Sequence, residues 1–226
     1  MAVMSRKVNL GFEVAPEKKE KFLKASSESN AFERAMTRAA KNIPNFGKTT
    51  VKRNNCCMEV VSEESASIFS GFTSGSPEID RYFREVAASD PRNVCYAFYN
   101  QKNGDVIGLA ALCCSGINLN DAKLVELIPS IKIDYFAVSE KYQDIELSGS
   151  DDPEERYFVS DAFLSFLIKE IREITESYLG ATHIVLYSVP DAVHFYERNL
   201  FGDFEEFMKP EQYRYLDGCK PMYMAL

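Results

Sequence analysis

Apolar and polar positions follow a regular order in the second half of the chain. Residues 131–138 are β-branched or aromatic for the most part and contain no Gly or Pro, which predicts a strand. Apolar residues then recur at helical spacing over 163–178. His183–Ser188 predicts a second strand, and a short helix follows with Phe195 and Tyr196. This order predicts a βαβ unit, whose ligand normally sits at the carboxyl ends of its strands.

The long helix of this unit has recognisable ends. Ser160 is a suitable N-cap, and Asp161 falls in the first turn, where a negative charge is favourable. Gly180 is placed to stop the helix, because glycine readily adopts the left-handed conformation found at helix ends.

The middle of the chain and the tail predict further elements. Asn103 and Gly104 lie in a turn between two apolar runs, 94–98 and 106–114, which predicts a hairpin. Strands are also expected at 58–61, 206–208 and 222–224. Ser76 and Pro77 begin a predicted helix with an apolar inner face of Ile79, Tyr82, Phe83 and Val86.

The N-terminal residues predict a strand followed by two helices. Residues 6–12 alternate strictly, with Val8, Leu10 and Phe12 on one face. Pro16 is typical of a first helical turn, and this helix should reach Ala25. Residues 30–33 have the pattern of a capping box, which predicts a second helix up to residue 43.

Charge is distributed unevenly along the 226 residues, whose formal net charge is −8. Residues 1–54 hold twelve Lys or Arg against five Glu, a net charge of +7, so the other 172 residues carry −15. This asymmetry predicts two parts with different partners. We expect a basic segment at 1–43, a polar, turn-rich linker at 44–55 and a main domain at 56–226.

The composition is typical of a globular protein with a hydrophobic core. A hydrophobic content of 46% supports a substantial core, and the sequence shows neither a membrane-spanning apolar run nor a secretion signal. A cytoplasmic protein is therefore expected. The six cysteines form no CxxC pair and there are only two histidines, so we expect reduced thiols and no metal.

Strand, helix, turn and helix in about forty basic residues resemble the ribbon-helix-helix fold. In that fold two chains pair their strands and place the ribbon in the DNA major groove. The resemblance implies a homodimer in which Arg6, Lys7 and Asn9 face bases or phosphates. The alternative is a basic arm that packs on the acidic domain.

Residues 56–226 resemble the GNAT family of acyl-CoA-dependent N-acetyltransferases. The resemblance rests on the order of elements, from a strand and helix through a hairpin to the strand ending at 136–138, and on the helix with residues 195–199. Segments 72–83, 128–143 and 192–196 look most like the branch that contains the toxins of toxin–antitoxin pairs. The resemblance implies an α/β fold with a mixed sheet, acetyl-CoA as a substrate and an amine as acceptor.

The family chemistry implies roles for individual residues. The backbone groups of Phe136, Ala137 and Val138 would bond the pantetheine and the thioester carbonyl. Tyr196 matches the tyrosine thought to protonate the leaving thiolate, and a phenol with a pKa near 10 is a competent acid for a thiolate. Phe195 and Tyr196 are otherwise ordinary core aromatics.

The loop after the central strand departs from the family pattern. The family normally has Gln or Arg here, then two residues, Gly, one residue, and Gly or Ala. In this chain Gln143 matches the first position, but residues 143–148 contain no glycine, and an acidic stretch follows at 149–156. Either the pyrophosphate cradle has moved to the amides of residues 156–160, among them Phe158, Val159 and Ser160, or cofactor binding is lost and the fold serves another purpose.

The acceptor and the overall function stay open between alternatives. The acceptor is a protein amine, a small cation or an aminoacyl-tRNA, and the charge of −15 disfavours RNA unless residues 1–54 offset it. The second hypothesis is a DNA-binding regulator whose GNAT-like part senses CoA or binds a partner without catalysis. Asp134 is a candidate general base, whereas His183 and His194 are expected to be structural.

Overall fold

The computed structural model of the chain describes residues 4–8, 10–44, 46, 58–100, 102–121, 124–149, 152 and 155–226. Its backbone forms one mixed β-sheet with helices packed on both faces, which confirms the predicted fold class. The predicted linker at 44–55 lies almost entirely outside the described residues.

The strands are short at the two termini and long in the middle of the sheet. They are β1 Met4–Ser5, β2 Phe12–Val14, β3 Met58–Val60, β4 Val94–Tyr99, β5 Val106–Asp121, β6 Leu124–Val138, β7 His183–Ser188, β8 Gly202–Asp203 and β9 Lys220–Ala225. The predicted hairpin is confirmed as β4 and β5, and the predicted strands at 58–61, 131–138, 183–188 and 222–224 are confirmed as β3, β6, β7 and β9.

The helices lie where their apolar spacing predicts them. They are α1 Lys19–Ser27, α2 Ala31–Asn42, α3 Pro77–Glu85, α4 Val159–Ile174 and α5 Val193–Arg198. Short 3-10 turns are found at Pro16–Lys18, Glu63–Gly71, Ala87–Ser89, Glu140–Tyr142, Pro190–Ala192, Glu205–Phe207 and Pro210–Tyr215. A π-helical turn, Thr175–Leu179, continues α4 and stops at Gly180, whose φ of 62° confirms the predicted glycine stop.

The sheet order is β3, β4, β5, β6, β1, β7, β9, β8, and β2 pairs in parallel with β5. Strands β3 to β6 are consecutive antiparallel neighbours, whereas β6 and β7 are parallel. This parallel pair is the predicted βαβ unit, with α4 as its crossover.

Alternating side chains on each strand divide the core between the two faces of the sheet. On β7, Ile184 and Leu186 pack with residues of α2, α4 and α5. Val185 and Tyr187 point to the opposite face, where they pack with Phe22 of α1. Helix α3 covers the same opposite face over β4 and β5.

The N-terminal strand is the main difference from the predicted elements. The described residues of 6–12 do not form one strand: residues 6–8, 10 and 11 are not in a strand, Met4 and Ser5 pair inside the main sheet, and β2 pairs separately with β5. Val8, Phe12 and Phe22 are buried in the same core as the main sheet, so the N-terminal segment packs into the domain.

Three smaller predictions were wrong at single residues. Helix α4 is preceded by Phe158 as N-cap, so Ser160 lies inside the first turn. Helix α2 begins after Asn30 as expected, but the Asn30 side chain makes no capping bond. Val86 follows the end of α3 and is 42% exposed.

Residues 206–208 were predicted as a strand, and this was wrong as well. The Asp203 side chain accepts a hydrogen bond from the Glu205 amide at 2.8 Å, which favours a turn. The 3-10 turn Glu205–Phe207 places the Phe207 ring 5.1 Å from that of Phe22.

Candidate active site

The two central strands separate at their carboxyl ends. β6 and β7 are paired from Ser130 opposite His183 to Ile133 opposite Leu186, and their pairing stops there. The next residue of β6, Asp134, is the extra residue of a β-bulge, because neighbouring β5 residues pair with Ile133 and then with Tyr135. The bulge bends β6 at the point where the two strands part.

The gap between the separated strands is filled by β1. Met4 lies opposite Ala137, and Ser5 lies opposite Phe136 on β6 and opposite Ser188 on β7. The Arg6 amide extends the contact by donating to the Tyr187 carbonyl at 3.2 Å. The backbone of Phe136 and Ala137 therefore faces a strand of the same chain.

Tyr196 lies beside this gap. It is fully buried, with its ring 6.3 Å from that of Phe136 and 5.6 Å from that of Phe201. Burial raises the pKa of Tyr196 well above its usual range, and the nearby Ser5 hydroxyl offsets this in part. The phenol therefore stays protonated at neutral pH, as a proton donor must.

The hydroxyls of Ser5 and Tyr196 are both buried and close enough to influence each other, but neither makes a hydrogen bond of normal geometry within the described part of the chain. Buried polar groups are nearly always paired, and an unpaired one costs about 1–3 kcal/mol. Two such hydroxyls at one place mark the gap as an unusual part of the core.

Asp134 is held by two lysines. Its carboxylate lies 2.8 Å from Lys132 Nζ and 3.5 Å from Lys7 Nζ, and the residue is almost completely buried. Lys132 also donates to the Val8 carbonyl at 3.1 Å. The Asp134 carboxylate therefore helps to hold the N-terminal segment in place. Because both lysines bind it, Asp134 is not free to act as a base in this conformation.

The start of α4 is organised by the buried carboxylate of Asp161. It accepts hydrogen bonds from the Phe158 amide at 2.8 Å, from Arg198 at 3.0 Å and from Asn199 at 2.6 Å. Arg38 of α2 lies 4.0 Å away and donates to the Arg156 carbonyl at 2.7 Å. A carboxylate in the first turn thus ties α2 and α5 to the beginning of α4.

The predicted cradle residues lie around the same helix start. The Val159 amide donates to the Ile145 carbonyl at 2.9 Å, and the Phe158 amide donates to the Asp161 carboxylate. Ser160 is buried in the first turn. Gln143 donates to the carbonyls of Ser74 and Val138 at 2.8 and 2.9 Å. Their role in holding a pyrophosphate stays a prediction.

A wide open cavity of about 840 Å³ adjoins the start of α4. Its lining carries more basic than acidic side chains and comes from α2, α5 and the loop before α4. The charged lining residues are Arg34, Arg38, Lys41, Glu155, Glu197 and Arg198. The sequence analysis did not single out this cavity, because α2 and α5 are far apart along the chain.

The basic side chains assigned to DNA contacts face carboxylates of this chain. Arg6 contacts Asp217 at 2.6 Å and Glu78 at 3.1 Å, and Lys7 contacts Asp134. Asn9 lies outside the described residues. Binding of DNA or RNA by this segment, and a homodimer, stay predictions.

The two histidines have different surroundings. His183 is buried, with Nε2 2.6 Å from the Ser26 hydroxyl and Nδ1 2.9 Å from that of Thr182, and burial lowers its pKa to about 4. His194 is exposed, 3.2 Å from Glu197. His183 therefore links α1 to β7, which agrees with a structural role.

The described residues contain neither a metal-binding cluster nor a membrane-spanning helix. No group of three or more His, Cys, Asp or Glu side chains is arranged to hold a metal ion in the part of the chain that the structure describes. Among the same residues, no helix combines the length and apolar character needed to cross a membrane.

Comparisons with known proteins give matches in structure alone. No protein-family model matches the chain, and no curated protein matches it in sequence. A bacterial toxin superimposes with a TM-score of 0.55 and 18% identity over 74% of this chain and 89% of its own. A tyrosine-to-phenylalanine mutant of the toxin KacT gives 0.55 and 11% identity, over 74% and 93%.

A third structure includes a ligand. It is a tyrosine-to-phenylalanine mutant of the toxin AtaT, bound to the C-terminus of the antitoxin AtaR and to acetyl-CoA. The TM-score is 0.51 at 12% identity, over 74% of this chain and 91% of AtaT. The chain has the GNAT-type acyltransferase fold. The bacterial toxin and AtaT share this fold with the chain, at 18% and 12% identity.

Proposed function

We propose that the chain is an acetyl-CoA-dependent N-acetyltransferase that acetylates a primary amine. The observation that carries the proposal is the parting of β6 and β7 beside the buried phenol of Tyr196. Two supporting facts are the GNAT-type fold and the similarity to AtaT, which has been solved with acetyl-CoA.

The residues of the gap are suited to the steps of acetyl transfer. Backbone groups at the end of β6 orient the thioester and stabilise the charge that develops on its carbonyl oxygen. The amine nitrogen bonds to the carbonyl carbon, the carbon–sulfur bond breaks, and Tyr196 donates its proton to the leaving sulfur. The acetylated nitrogen gives up a proton, and transfer of a proton to the phenolate restores Tyr196.

The start of α4 is the place on this chain best suited to the charged end of the donor. Helix α4 begins there, and the basic lining of the adjacent cavity offers cations to phosphates. Asp161 neutralises part of this charge through Arg198 and Arg38, and Glu155 pairs with Lys41. Arg34 is the lining cation that has no carboxylate partner among the described residues.

Replacement of the proton donor tests the proposal. Tyr196→Phe should lower the rate of thiol release from acetyl-CoA by roughly 10²–10⁴-fold while acetyl-CoA still binds. Tyr178→Phe is a matched control, because Tyr178 is 84% exposed and lies in the π-helical turn that ends α4, whereas the candidate site lies at the start of that helix. Activity against a panel of amines that is equal in both variants would remove Tyr196 from the mechanism.

A further inference from the structure

We propose that residues 4–8 form an autoinhibitory strand, which competes with the acyl donor for the gap between β6 and β7. The inference concerns regulation of the site and rests on the proposed function. Met4 and Ser5 pair with Ala137 and Phe136, the β6 residues expected to bond the donor.

The strand and the donor exclude each other. Ser5 has a partner on both sides, Phe136 and Ser188, so a single strand bridges the separated β6 and β7. Neighbouring strands lie about 4.7–4.9 Å apart, and a gap one strand wide leaves no room for a second extended chain. A pantetheine arm along β6 therefore requires β1 to leave.

The gap that β1 fills has less strand pairing and fewer hydrogen bonds than a permanent part of the core would have. Among the residues described, the strand pairing of this segment is limited to Met4 and Ser5, and the buried hydroxyls of Ser5 and Tyr196 make no hydrogen bond of normal geometry. An incoming ligand with a carbonyl and a sulfur atom would give Tyr196 an acceptor. The same hydroxyl that is unpaired in the closed form is thus usable in the open form.

The contacts that hold the segment differ along its length: Ser5 and Val8 are buried, whereas Arg6 is held by polar contacts near the surface. Arg6 is fixed by Asp217 and Glu78, whose side chains are 81% and 57% exposed. Lys7 is fixed by Asp134. Ion pairs at exposed carboxylates are weak and screened by salt, whereas the carboxylate of Asp134 is buried. The Arg6 contacts are therefore the part of the closure that is most easily broken.

Strand β2, which follows the segment, is held firmly in the sheet. Phe12 and Val14 of β2 are buried, and β2 pairs with β5 across three residues. Residues 4–8 can therefore move away while the chain from β2 onwards keeps its place in the sheet.

A reversible lock tests the competition in the full chain. Ser5 and Ser188 are direct partners in an antiparallel pair, where Cα atoms lie about 4.5–5.5 Å apart, a separation that a disulfide spans. The double variant Ser5→Cys/Ser188→Cys should bind acetyl-CoA roughly tenfold or more weakly when oxidised than after reduction, as measured by calorimetry. The unsubstituted chain under the same two conditions is the control for its own cysteines.

A second pair of variants tests the opposite change. Arg6→Ala removes the ion pairs with Asp217 and Glu78 and the hydrogen bond to Cys219 Sγ, and should strengthen acetyl-CoA binding several-fold. Asp217→Ala removes one of these carboxylates and should strengthen binding in the same direction by a smaller factor. Glu176→Ala removes an exposed acid far from the gap and should leave binding unchanged.

The outcomes separate the two proposals. Equal acetyl-CoA affinity in the oxidised and reduced double variant, with no gain in Arg6→Ala, would refute the autoinhibitory strand and leave the acetyltransferase intact. No acetyl-CoA binding or turnover in any form, Arg6→Ala included, would refute the proposed function and the strand with it.

Discussion

Asp161 and Arg198 form a largely buried ion pair at the start of α4. Two guanidinium nitrogens of Arg198 lie 3.0 and 3.3 Å from one carboxylate oxygen of Asp161. The Asp161 side chain is fully buried, whereas the Arg198 side chain is 32% exposed. The same carboxylate accepts from the Phe158 amide and from Asn199. One side chain thus joins α4 to α5 close to the candidate active site.

Loss of this carboxylate should destabilise the fold strongly. Asp161→Asn leaves Arg198 without its counter-charge, and breaking a buried pair costs about 3–5 kcal/mol. Partial exposure of Arg198 places the expected cost near the lower end, about 3 kcal/mol, in chemical denaturation. Glu176→Gln breaks the exposed pair with Arg172 and should cost about 0.5 kcal/mol or less. Similar costs for the two variants would mean that Asp161 is solvated in solution.

Removal of the Tyr196 hydroxyl should stabilise the closed form. The hydroxyl is buried and has no partner among the described residues, so Tyr196→Phe should raise the free energy of unfolding by about 1 kcal/mol. Tyr157→Phe is the matched control, because that buried hydroxyl lies 2.8 Å from Ser165 Oγ and its loss should destabilise by about 1 kcal/mol. A loss of stability in both variants would show that Tyr196 is hydrogen-bonded in solution.

A side chain at position 108 should destabilise the fold. A Cβ atom there would lie 2.5 Å from the Phe163 ring and 2.9 Å from the Ala137 carbonyl, and Phe163 is fixed by stacking on Phe98 and Phe136. Gly108→Ala should cost about 1–3 kcal/mol, the usual range for overpacking. Gly71→Ala meets no atom within 4 Å and should change stability by about 0.5 kcal/mol or less. Equal thermal shifts would contradict the close approach.

Stability should fall as the pH is lowered through the range of His183. Burial lowers its pKa to about 4 in the folded chain, while the unfolded value is about 6.5, so between these values the unfolded state binds more protons. The contribution is fully present above about pH 6.5 and is lost progressively towards pH 4, to a total of about 3 kcal/mol.

A pair of variants isolates this effect. His183→Gln should flatten the dependence of unfolding free energy on pH in that range, whereas His194→Gln, at an exposed position, should keep it. An unchanged slope in His183→Gln would show that His183 does not control the acid stability.

The elements that sequence reasoning predicted correctly depend on local pattern. His183–Ser188 is apolar enough to be a buried strand in any context, and Gly180 stops a helix by its own conformational freedom. Tyr196 was singled out by the resemblance to the GNAT family, whose tyrosine it matches, and it does lie beside the parted strands. The catalytic and binding roles of the candidate site residues stay predictions.

The features that were missed depend on contacts between distant parts of the chain. The alternation at residues 6–12 is compatible with a strand, but the partners of Met4 and Ser5 lie more than 130 positions away. The same holds for Arg38, which meets Arg156 and Asn199 only through folding. No local pattern encodes such meetings, so neither the filled gap nor the basic cavity was predicted.

The pairing of Met4 and Ser5 determines the acyl-CoA concentration at which the proposed enzyme becomes half-occupied. If the donor binds only when this pairing is broken, its apparent dissociation constant is the intrinsic one divided by the fraction of molecules that are open. Each 1.4 kcal/mol in favour of closure would then raise the acyl-CoA concentration needed for half-occupancy about tenfold. Substitutions at the first few positions could thus tune metabolite responsiveness without touching a catalytic group.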